Sequence, residues 1–139
     1  MKKYTHEKAH EEVDRIFKVL LPQRSMAERP EQIRLCHSIL DAMLDGGIAL
    51  CDAGTGIGKT FAYLTAGILH GKCRAAEGRP QRPILISTSS IALQNAIQKE
   101  YLPLLSGVLL SEGLGSAPIE AGIRKGKAHY VCDARLERR

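Results

Sequence analysis

"CDAGTGIGKT", residues 51–60, decides how the rest of this 139-residue sequence is read. Ala53, Gly54, Thr55, Gly56, Ile57, Gly58, Lys59 and Thr60 have the spacing of a phosphate-binding loop: a small residue, four more, then Gly-Lys-Thr. Glycines at these positions let the backbone curl until its N–H groups converge on phosphate oxygens. Lys59 reaches the β and γ phosphates, and the Thr60 hydroxyl is placed to ligate Mg²⁺. A helix opening here turns the positive end of its dipole toward the same anion. A merely flexible glycine loop also fits the bare pattern, so the flanks decide. "IALCDA", residues 48–53, is short and apolar, as in a strand buried on both faces. "KTFAYLTAGILHG", from Lys59, reads as a helix ending near Gly71.

Upstream, Val13, Ile16, Phe17 and Leu20 recur at helical spacing, with Thr5 as the cap and Pro22 as the stop. A second helix opens at Pro30, carries Ile33, Cys36, Leu40 and Leu44 on one stripe, and ends at Gly46-Gly47. Downstream, "KCRAAEGRPQR" reads as a polar loop and "PILIST", residues 83–88, as another apolar strand. "SIALQNAIQKEYLPLL" returns as a helix, and residues 119–124 offer a third strand. Strand, helix, strand, helix predicts an α/β fold: a parallel sheet with flanking helices, and N-terminal helices before the loop strand.

The totals agree with a globular chain, 44% apolar and 25% charged. No apolar run reaches about 18 residues, so no membrane span is expected. The polar start "MKKYTHEKAHEEVDR" is no ordinary secretory signal, which points to the cytoplasm. The four cysteines, Cys36, Cys51, Cys73 and Cys132, form no CxxC pair. Net charge is +5, and residues 124–139 hold six basic against two acidic side chains. Such an end suits nucleic acid, or is simply a solvated terminus.

Three further stretches resemble one family, the DinG/XPD-type iron–sulfur DNA helicases of superfamily 2. "ERPEQIRLCHSILDAML" lies where that family has its Q-motif helix. By the resemblance Arg29 and Gln32 join residues 53–60 in binding ATP, Gln32 reading the adenine edge. "ILISTSSIALQNAIQ" is similar to motif Ia, which implies that Ser87, Thr88, Ser89 and Gln94 meet single-stranded DNA, with Lys125 and Lys127 on the same partner. Hydroxyls beside a helix N-terminus suit phosphate, and they suit ordinary capping equally well. "IRKGKAHYVCDARL" resembles the segment in which the family's first cluster cysteine stands, so Cys132 would be one ligand of a 4Fe–4S cluster. His129 stands where the family usually has Asn.

The resemblance covers residues 26–139, following an N-terminal helical segment 1–25. It implies a partial RecA-like P-loop NTPase domain: the first part of motor domain 1 in an ATP-dependent DNA helicase. Lys59 and Thr60 would be its catalytic residues, with ATP and Mg²⁺ bound. "VLLSE", residues 108–112, is a poor Walker B candidate, because Ser111 occupies the usual Asp position. The chain is therefore expected to be an N-terminal fragment, inactive by itself, that self-associates through an exposed sheet edge. The alternatives are a non-catalytic nucleic-acid-binding module and a small stand-alone P-loop kinase or NTPase.

Overall fold

The structure is a computed structural model that describes residues 4–130 and 137. Thr5 opens α1 (His6–Arg15): its hydroxyl accepts the Lys8 N–H at 3.1 Å and so satisfies one of the helix's free donors. The helix widens into a π turn at Ile16–Leu20, and a short 3₁₀ turn, Pro22–Arg24, follows. α2 (Pro30–Asp45) starts on a proline and stops at Gly46, whose φ of 68° is the left-handed cap that glycine adopts without strain. α3 (Lys59–Ala76) follows the phosphate-type loop. α4 (Ile91–Ala96) is capped by Ser90, then passes through a second π turn, Ile97–Tyr101, into α5 (Leu102–Ser111).

Both π turns have the same cause in the sequence. Each ends two residues before a proline, Pro22 or Pro103. A proline ring collides with the carbonyl four residues earlier and removes a donor. Widening the turn to an i→i+5 pattern relieves that collision, and Leu21 N–H accordingly reaches Ile16 O at 2.9 Å.

The core lies where these helices meet. Val13, Ile16, Phe17 and Leu20 pack with Ile33, Cys36 and Leu40 of α2 and with Phe61, Leu64, Ala66 and Leu69 of α3. Leu105, Val108 and Leu109 close it from α5. One carboxylate is buried here. Glu12 accepts from the Tyr4 hydroxyl at 2.9 Å and pairs with Lys72, which ties α1 to α3. Burial, and then the Glu12 charge, push the Tyr4 hydroxyl well above its ordinary pKa. The Lys72 ammonium also sits 4.5 Å over the Tyr4 ring.

The expected α/β fold is not what forms. Among the described residues there is no strand, so the parallel sheet of a partial RecA-like domain is absent and the fold is all-helical. Residues 48–53, 83–88 and 119–124 run as irregular chain without a ladder partner. The physical reason is that a strand cannot satisfy its own backbone; it needs neighbours and a covered face. Here the apolar side chains that a sheet would bury stand in solvent: Ile48 is 94%, Leu50 98% and Leu85 93% exposed. Ile84 has a seat against Gly67 of α3, where a Cβ would come within 2.6 Å of its Cδ1, and Ile119 packs against the helical core.

The helices in turn run further than their sequence signals. α3 passes Gly71 and takes in residues 72–76 of the expected polar loop, because Cys73 is buried and Lys72 reaches Glu12. The last helix extends to Ser111, so the "VLL" of 108–110 is helical, not a strand. No helix among the described residues is long and apolar enough to cross a membrane.

Candidate nucleotide-binding site

The loop between α2 and α3 takes its shape from two left-handed glycines, Gly56 at φ 80° and Gly58 at φ 83°. Gly58 ends the loop and caps α3. α2 holds the loop from one side. The buried Gln32 donates its Nε2–H to Gly58 O at 2.8 Å, and Arg29 donates to Gly56 O. The approach is close enough that a Cβ on Gly58 would lie 2.1 Å from Gln32 Nε2. The left-handed φ favours glycine there, and a Cβ would also displace the Gln32 amide from Gly58 O.

The Lys59 ammonium folds back over the loop, donating to Ala53 O at 2.7 Å and Gly54 O at 2.8 Å. An arriving phosphate would compete with these two neutral carbonyls for it. The first turn of α3 has no side-chain cap and no acidic residue. Its N–H groups and the positive dipole end are therefore available to an anion. Thr60 is half-buried in that turn. These features fit a phosphate chain: a glycine loop, helix donors without a side-chain cap, and a cation held only by neutral carbonyls.

Beside the loop runs an open cleft of about 410 Å³, lined on the α2 side by Glu31, Arg34, Leu35 and Ser38. Sequence reading passed over these residues, although their spacing of i, i+3, i+4, i+7 is a helical face. They form the face of α2 opposite its apolar stripe.

The residues expected to meet DNA are placed as follows. Ser87 and Ser89 are exposed. Thr88 Oγ1 accepts the Ser90 N–H at 3.1 Å, and Ser90 Oγ accepts the Leu93 N–H at 3.2 Å as the cap of α4. Gln94 donates to Thr88 O at 3.3 Å, while its buried Oε1 has no partner. Lys125 is half-buried and Lys127 exposed, in and beside a 3₁₀ turn at Lys127–His129. Cys132 lies outside the described residues.

Two other expectations can be located. Glu112, the nearest approach to a Walker B acid in the sequence, pairs with Arg15 at 2.9 Å. Cys36 and Cys73 are buried, and burial pushes both thiols up in pKa, whereas Cys51 is exposed. No group of three or more His, Cys, Asp or Glu side chains converges among the described residues.

No protein-family model matches the chain, and no solved structure is a significant match. Curated sequences do match. The 3'-5' exonuclease DinG of Bacillus subtilis (strain 168) is 33% identical over 110 residues, 79% of this chain and 10% of that protein. The ATP-dependent DNA helicase YoaA of Escherichia coli (strain K12) is 32% identical over 121 residues, 87% of this chain and 15% of that protein. The ATP-dependent helicase DinG of Mycobacterium tuberculosis (strain ATCC 25618 / H37Rv) is 32% identical over 104 residues, 75% of this chain and 14% of that protein. The chain thus spans 10% to 15% of the length of these relatives. At about 30% identity over most of its length, it belongs in sequence with the DinG-type helicases.

Proposed function

We propose that residues 53–60 grip the phosphates of ATP, and that the chain is the nucleotide-gripping segment of a DinG-type DNA helicase. One observation carries this reading: the uncapped, acid-free N-terminus of α3 sits directly behind a glycine loop that Arg29 and Gln32 hold open. In this reading the loop N–H groups bind phosphate oxygens and Lys59 leaves Ala53 O and Gly54 O for the β and γ phosphates. Thr60 supplies its hydroxyl to Mg²⁺, which neutralises phosphate charge. Gln32 and Arg29 act first by shaping the loop. The base would lie along the Glu31–Ser38 face, within reach of the remaining Gln32 oxygen.

Single-stranded DNA is the proposed partner, with Ser87, Thr88, Ser89, Gln94, Lys125 and Lys127 meeting its backbone. The DNA-helicase names of the relatives support that class of partner. ATP turnover needs an acid for Mg²⁺ and a group to orient water. Glu112, the nearest sequence candidate for that acid, is held by Arg15, and the chain alone is proposed to bind ATP without turning it over. The exposed Ile48, Leu50 and Leu85 give it an apolar surface through which to self-associate.

The test is binding of a fluorescent ATP analogue with Mg²⁺. Lys59→Ala removes a charged hydrogen bond and should weaken binding by about tenfold or more. Equal affinity of the two forms would sink the assignment.

A further inference from the structure

A second cleft lies toward the far end of α3 from the phosphate loop. It is open, about 540 Å³ in volume, and three pieces of chain wall it. The last turn of α2 with its Gly46 cap forms one side, and residues 79–84 form another. α3 contributes Gly67, His70, Gly71 and Arg74, which stand at i, i+3, i+4 and i+7 of one helical face. Gly71 keeps the cleft open, since a Cβ there would meet nothing within 4 Å.

The charge around this cleft is one-sided. Arg74, Arg79 and Arg82 line it against one carboxylate, Asp45. Arg79 is paired with Glu77 at 3.1 Å. Arg74 donates to one neutral acceptor, Pro80 O at 3.0 Å, and its buried Nε has none among the described residues. Arg82 is exposed and forms no ion pair among the described residues. A buried donor without an acceptor is costly, and a cleft lined by one sign of charge draws the opposite sign into it. His70 feels the same field. Burial first, and then the Arg74 charge, hold its imidazole below the ordinary pKa, with Glu77 opposing and Arg79 and His6 reinforcing.

We propose that this cleft is a second anion site, taking a phosphate group between Arg74 on α3 and Arg82 on the segment 79–84. Arginine suits phosphate because its planar fork offers parallel N–H donors to two oxygens. Two sources carry such a group, a nucleic-acid backbone and a free polyphosphate. The site is separate from the phosphate loop: His70 follows Lys59 by 11 residues, about 16 Å along the helix.

The test follows the His70 imidazole by NMR through a pH titration of the full chain at constant ionic strength. Inorganic pyrophosphate is added in one arm and a short oligothymidylate in the other. A phosphate seated beside Arg74 offsets the field that lowers the His70 pKa, so the titration midpoint should rise, and saturably. A rise at lower concentration of the oligonucleotide assigns the site to a nucleic-acid backbone. A rise with pyrophosphate alone assigns it to a free polyphosphate. Arg82→Gln, at an exposed position, should weaken the response by about tenfold. Gly71→Glu, which puts a carboxylate into the open space, should abolish it. Lys59→Ala should leave it intact, so the outcome does not depend on whether the loop binds ATP. A His70 midpoint unmoved in both arms, or Arg82→Gln and Gly71→Glu responding like the parent, would overturn the proposal.

Discussion

Leu69 in α3 and Leu85 in the stretch 83–88 come from equally apolar sequence, yet Leu69 is fully buried and Leu85 is 93% exposed. A helix closes its own backbone hydrogen bonds and needs only one covered face. An extended segment leaves its backbone open until a neighbour pairs with it. The difference between these two regions is therefore one of self-sufficiency, not of hydrophobicity.

Substitutions sharpen that contrast. The largest effect is expected at Lys72→Met, which strands the Glu12 carboxylate in the core. A loss of about 3–5 kcal/mol is expected by chemical denaturation. Leu69→Ala should follow at about 2–5 kcal/mol, from lost burial and a cavity. Gly58→Ala, placing a Cβ where Gln32 stands and straining a φ of 83°, should cost about 1–3 kcal/mol and loosen the phosphate loop. Ser90→Ala, which removes the cap of α4, should cost about 1 kcal/mol. Leu85→Ala should change stability by less than about 0.5 kcal/mol. If Leu85→Ala rivalled Leu69→Ala in a urea titration, the contrast would be broken. Leu85→Asp has a separate readout: it should lower the apparent mass at high concentration in sedimentation, since it removes an exposed apolar contact.

Much of the helical half was legible in the sequence. The stripe Val13–Leu20, the proline start and glycine stop of α2, and the start of α3 at Lys59 follow from spacing and caps, which are local properties. The extent of α3 was not legible, because Gly71 and a polar run signal an end. Cys73 and Lys72 continue the helix through contacts with α1, which lies about 60 residues away in sequence. The π turns before Pro22 and Pro103 were not foreseen either, since a proline reads as a stop when its accommodation is not considered. At the candidate site the loop residues were evident from their spacing. That Gln32 and Arg29 grip the carbonyls of Gly58 and Gly56 was not, because those contacts cross 26 and 27 residues of chain.

The sequence by itself determined the phosphate-type loop, the helical stripes and the kinship with DinG-type helicases, because each is written in residue type and spacing. Tertiary structure alone decided that 48–53 and 83–88 do not become strands. It also decided that α2 clamps the loop, and that Arg74, Arg79 and Arg82 line one cleft. Those outcomes depend on which partner arrives at a surface, and no local pattern carries that information.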